Sequence, residues 1–119
     1  MTSPSLTIPK NLKPYTVAIL FPGPNYAALS DKSVSANLAL QAAHLEAIRG
    51  NVEDGLQILA APVMTPGSSV SAFSIFHATV SIEQVTGIMQ RDPAIAAGRF
   101  IFEVHQALFP DLDGVKMEY

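Results

Sequence analysis

From Tyr15 to Phe21 the chain is apolar or β-prone without a break, and the run stops at Pro22-Gly23-Pro24-Asn25. The run reads as a strand and the Pro-Gly cluster as its turn. Alternation puts Tyr15, Val17, Ile19 and Phe21 on one face and Thr16, Ala18 and Leu20 on the other. Both faces are largely apolar, so both are expected to be buried. Residues 22–33 read as a loop, with Ser33 or Ser35 placed to cap a helix over Ala36–Asn51. In that helix Leu38, Leu45, Ile48 and Val52 recur at intervals of seven, three and four, which predicts one apolar stripe.

Gln57–Ala61 reads as a second strand closed by Pro62, and Thr65-Pro66-Gly67-Ser68-Ser69 as a turn. A third strand is expected over Ala72–Thr79, with Phe73, Ile75 and His77 on one face and Ser74 and Phe76 on the other. A second helix over Ile82–Gln90 would bury Val85, Ile88 and Met89, with a weak capping signal around Thr79, Ser81 and Glu83. Asp92-Pro93 can cap and start a short helical turn, because proline is tolerated at the first helical position, and Gly98 ends it. Arg99–Gln106 is the fourth strand.

The order strand, helix, strand, strand, helix, strand predicts an α+β fold. It is the ferredoxin-like split βαβ arrangement (βαββαβ) with an antiparallel sheet. The chain divides into a flexible N-terminal arm over residues 1–14, the domain over 15–107 and a C-terminal tail over 108–119. Helices on one face leave the other face bare and rich in Phe, Ile and Val, and an exposed patch of that kind marks an interface. The expected partner is a second copy laid sheet on sheet, as a homodimer or a higher homo-oligomer.

Composition sharpens that expectation. With 119 residues, 49% of them hydrophobic, one domain can form a core without metal or disulfide. Only 14% are charged, well below the usual quarter, so part of the surface is expected to lie under another chain. The net charge is -3 and the seven basic residues are scattered, which argues against nucleic-acid binding. Cysteine is absent, so there is no disulfide framework and no thiol nucleophile, as fits a cytoplasmic protein. Residues 1–14 lack the apolar run of a signal peptide, and no stretch has the length of a membrane span.

The candidate chemistry centres on His44, beside the apolar stripe, with Leu40 and Ala47 on its side of the helix. An imidazole there can titrate near neutrality and, given a carboxylate partner, act as a general base. The plainer alternative is a boundary histidine satisfied by one hydrogen bond. Asp92 reads as a helix cap, and its two oxygens let it cap and pair at once. His77, His105 and Glu103 lack the short spacings of a zinc motif, so no metal site is expected. Phe21, Tyr26, His77 and Arg49 are candidates to line a pocket, and Arg49 or Arg99 could hold a carboxylate or phenolate.

The strand-one run, His44-Leu45, Leu59-Ala60-Ala61-Pro62, and Asp92-Pro93 followed by Ala96-Ala97-Gly98 together resemble the YCII-related family, over roughly Tyr15–His105. The resemblance implies a dimeric α/β barrel of ferredoxin-like subunits. It also implies that His44 and Asp92 form the polar pair of a pocket, and these two are the expected catalytic residues, with no cofactor expected. One branch of that family includes a dehydrochlorinase acting on an aromatic-derived substrate, and muconolactone isomerases are more distant in fold. This chain departs from the family pattern in a longer N-terminal arm and in Ala-Ala-Pro where many relatives have Ala-Gly-Pro.

The expected function is a small cofactor-independent lyase or isomerase acting on an aromatic-derived or enolisable small molecule. The alternative is a non-catalytic binding or interaction module of the same fold. A cofactor-free monooxygenase is supported by fold analogy alone.

Overall fold

The first apolar run becomes an inner strand with neighbours on both sides. In the computed structural model, which describes residues 4–119, it is β1 (Lys13–Pro22). It is followed by α1 (Tyr26–Leu29), α2 (Ser35–Glu53), β2 (Gln57–Pro62), β3 (Ala72–Phe76), α3 (Ile82–Arg91), α4 (Pro93–Ala96) and β4 (Phe100–Phe109). The part of the expected N-terminal arm at residues 1–3 lies outside the described residues.

The strand order is β2-β3-β1-β4 and every neighbouring pair is antiparallel, so the ferredoxin-like topology is present. Val17 lies opposite Ile75 on one side and His105 on the other. The sheet is open, and it is not closed into a barrel. The dimeric α/β barrel expected from the resemblance is therefore corrected to an open four-stranded sheet with edges at β2 and β4. The physical reason is strand number, since even a small closed barrel takes about eight strands.

Thr16, Ala18 and Leu20 of β1 face the helices. Ala18 and Leu20 join Phe76, Val80, Val85, Met89, Ala94 and Phe100 in the core. Thr16 is satisfied there by donating to the Val80 carbonyl at 2.7 Å. On the opposite face Tyr15 and Val17 are buried, whereas Phe73 and Ile101 on the flanking strands stay more than a third exposed. The C-terminal tail ties down one end of that face. Tyr15 Oη accepts from the Leu112 amide at 2.7 Å and donates to Asp113 at 3.1 Å, and Lys13 Nζ reaches Asp113 at 2.6 Å. That carboxylate, followed by Tyr15, raises the Lys13 pKa well above its ordinary value, and the Lys13 hydrogen bond in turn lowers that of Asp113.

Three local expectations are corrected. The expected Leu38–Val52 stripe of α2 is split: Leu38 and Leu45 are 53% and 52% exposed, whereas Ile48 is half-buried and turned inward. Neither Ser33 nor Ser35 caps α2. Ser33 Oγ donates instead to Asp31 at 2.6 Å, and Ser35 already lies within the helix. The start of α2 is held by Asn37, whose Nδ2 donates to the Ala28 and Asp31 carbonyls. α1 occupies part of the expected loop. It is set by Gly23 and Asn25, whose amides donate to the Arg99 and Gly98 carbonyls at 2.8 and 2.9 Å. A side chain at Gly23 would collide with the Gly98–Arg99 backbone, so this approach requires glycine.

At α3 Ser81 is the cap, but its partner is Gln84 and not the expected Glu83: Ser81 Oγ accepts from the Gln84 amide and Gln84 Oε1 from the Ser81 amide, a full capping box. No helix among the described residues is long and apolar enough to cross a membrane.

Candidate active site

The site begins at the junction of α3 and α4. Asp92 ends one helix and caps the next, with Pro93 at the first helical position of α4. Its Oδ1 accepts from the Ala94 amide at 2.9 Å and the Ile95 amide at 3.4 Å, which fixes the carboxylate plane. That plane faces α2. His44 Nδ1 lies 2.9 Å from Oδ1 and 2.8 Å from Oδ2, with both side chains largely buried. The Phe100 ring packs against the imidazole at 5.8 Å between centroids.

An ionised carboxylate only accepts hydrogen bonds, so its partner Nδ1 carries a proton and Nε2 is the free position. Nε2 has no hydrogen-bond partner among the described residues, yet no buried side-chain nitrogen or oxygen among them lacks a partner. Nε2 is therefore reachable from solvent.

His44 and Asp92 line a cavity of about 170 Å³ between α2, α3 and the sheet. α2 contributes His44, Ala47, Ile48 and Asn51, a spacing of i, i+3, i+4 and i+7 that puts all four on one face. The sheet adds Leu20, Ala60, Ala72, Ser74 and Gln57, and α3 adds Ile88, Met89 and Arg91. Ser74 and Gln57 are buried, and Gln57 is held by donating to the Leu59 carbonyl at 3.1 Å while accepting from Asn51 at 3.4 Å. The wall is thus mostly apolar, with a few fixed polar groups and one histidine nitrogen available for chemistry.

The other candidates stand elsewhere. Phe21 points to the opposite sheet face, across from Ile101. Tyr26 packs on Phe100 at 5.8 Å beneath the Arg99 guanidinium. His77 pairs with Asp113 at 3.6 Å, near the tail. Arg49 is occupied on the outside of α2 by Glu46 and Glu53 at 3.8 and 3.1 Å. None of these four lines the cavity with His44. His105 and Glu103 contact each other at 3.1 Å on the exposed face of β4, and among the described residues no three His, Asp or Glu side chains gather as metal ligands.

Sequence reading passed over Asn51, Gln57, Ser74 and Arg91. For Ser74 and Gln57 the available signal was a polar residue on the same strand face as core residues, as Ser74 shares its face with Phe76.

No family model matches the chain, and no curated protein matches it. Among solved structures it is similar to 5-chloro-2-hydroxyhydroquinone dehydrochlorinase from Burkholderia phenoliruptrix AC1100, in a complex with 2,5-dihydroxybenzoquinone. The TM-score is 0.50 and the identity 20%, covering 76% of this chain and 90% of that one. At that identity the likeness extends to the fold.

Proposed function

We propose that this chain is a YCII-related lyase or isomerase in which His44 moves a proton on a small ring-sized substrate and Asp92 holds the imidazole. The observation that carries the reading is the doubly contacted Nδ1 of a histidine that lines a mostly apolar cavity, with Nε2 left without a partner among the described residues. In the lyase form Nε2 takes a proton from carbon, and the electron pair left behind forms a double bond as the leaving group departs with its own pair. In the isomerase form the same proton returns to a different carbon. Neither course changes the oxidation state of the protein or calls on groups beyond His44 and Asp92.

Asp92 would stabilise the imidazolium formed in between, and exclusion of water would strengthen that interaction. A cavity of about 150 Å³ holds one benzene ring, so this one matches a monocyclic ligand or a six-carbon chain. The structural relative, crystallised with a dihydroxybenzoquinone, supports the same size class. The exposed Phe73 and Ile101 support a homodimer that covers the outer sheet face.

The test is turnover with halogenated hydroquinones and with enolisable lactones. Wild-type protein is expected to act on one of these classes. His44→Ala is expected to lower the rate roughly 10²–10⁴-fold while the protein stays folded by circular dichroism. Turnover that survives His44→Ala, or no turnover together with an undisturbed His44 resonance on ligand titration, would favour the non-catalytic module instead.

A further inference from the structure

We propose that Arg91 makes the His44 cavity selective for small anionic ligands, namely carboxylates or phenolates of one-ring size. The inference rests on reading that cavity as the proton-transfer site, and it assigns the charge class of the ligand.

Arg91 is the last residue of α3. It lines the His44 cavity and also an adjoining hollow formed with Leu56, Val80, Glu83, Gln84 and Gly87, in which Glu83 is the one carboxylate and makes no ion pair with Arg91 among the described residues. Ile88 is the one other residue shared by both walls, so Arg91 stands where the two spaces meet.

The other well-placed cations are occupied. Lys13 is paired with Asp113 and Asp111, and Arg49 with Glu46 and Glu53. Arg99 is bound by Ser30 and Gln41 and lies over the Phe100 ring. Arg91 forms no ion pair among the described residues, and the neighbouring Asp92 carboxylate is already taken by His44 and the α4 amides.

Gly87, one turn back on the same helix, gives the side chain its place. A helix-interior glycine is a destabilising choice relative to alanine. Here a Cβ at Gly87 would stand 3.3 Å from Arg91 Nη1, so the missing side chain lets the guanidinium lie back along the helix into the hollow.

The charge balance of the wall gives this placement its consequence. The ionisable residues lining the cavity are His44, Asp92 and Arg91. Without Arg91, the Asp92 carboxylate would be the one fixed charge beside the ligand and would disfavour an anion. With it, a cation whose planar fork matches carboxylate or phenolate oxygens belongs to the same wall. The same charge would hold the enolate or phenolate produced when Nε2 removes a proton.

The test compares benzoate with benzamide, a pair of equal shape that differs in charge, by NMR titration of the full-length chain. Wild type is expected to bind benzoate at least roughly tenfold more tightly, the size of a charge-assisted hydrogen bond. In Arg91→Gln the benzoate dissociation constant is expected to rise to that of benzamide, and Arg91→Lys is expected to keep part of the preference. Equal binding of the two probes by wild type, retention of the full preference in Arg91→Gln, or binding of neither probe would overturn the inference. The His44 ring resonances separate this outcome from the underlying reading. If they shift with both probes and no charge preference appears, the role of Arg91 fails alone, and if they never shift, the cavity reading fails as well.

Discussion

α3 and α2 lie over the same face of the sheet with opposite chemistry. α3 has ten residues, a complete capping box, and Val85 and Met89 buried in the core. α2 has nineteen residues, no side-chain cap, and Asn37 as its one buried residue. Its inward face, His44, Ala47, Ile48 and Asn51, looks into a cavity. The difference teaches that a helix packed to stabilise a core and a helix placed to roof a site obey different patterning rules. The first needs an unbroken apolar stripe, and the second needs a few polar groups held over a gap.

That contrast can be broken in several ways. The largest expected effect is on chemistry at α2: Asp92→Asn should lower turnover by roughly 10²–10⁴-fold by removing the negative charge and one of the two acceptor oxygens facing His44 Nδ1, measured on the substrate class that wild type turns over. On the stability side, Met89→Ala in α3 should cost about 2–5 kcal/mol in urea unfolding, because it opens a void in the core. Leu45→Ala in α2 should cost under about 1 kcal/mol, since half that side chain already sees water. Equal losses from the two substitutions would erase the distinction between the helices.

A smaller effect is expected at the cap. Ser81→Ala removes half of the capping box and should cost about 1 kcal/mol, whereas Ser33→Ala, which caps nothing, should leave helix stability unchanged within about 0.5 kcal/mol. The smallest expected effect lies outside both helices, at the tail. Asp113 has its pKa lowered in the folded chain, chiefly by Lys13, so its contribution is present above the ordinary carboxylate value of about 3.9 and fades as the pH falls through the folded value. Lys13 is raised, so its contribution is present below the ordinary lysine value of about 10.4 and is lost only at more alkaline pH. The stability gap between wild type and Asp113→Asn should therefore be present at neutral pH and close at the acid end, as urea titrations from pH 2 to 8 would show.

Strands β1, β2 and β4 were legible as runs bordered by proline or glycine, whereas β3, with neither at its ends, was expected to reach Thr79 and stops at Phe76, which leaves His77 outside it; alternation alone sorted Ala18 and Leu20 from Val17 and Ile19. The second long helix was legible through Val85 and Met89. The first misled, because Leu38 and Leu45 repeat at helical spacing and yet face outward, while its inward residues include two polar side chains. His44 and Asp92 were readable as candidates from residue type and resemblance. Arg91 and Asn51 were not, because nothing in a linear pattern tells a cavity-lining polar residue on a helix from a solvated one.

Local preference by itself determined the approximate places of the four strands and the two longer helices and that Asp92-Pro93 would start a helical turn, since propensity and capping act over a few residues. Only the tertiary structure decided that the sheet stays open, that α2 shows His44 rather than Leu45 to the interior, and that Nδ1 of His44 meets a carboxylate 48 positions away in sequence. Those outcomes depend on which elements pack together, and packing is set by contacts between residues far apart along the chain.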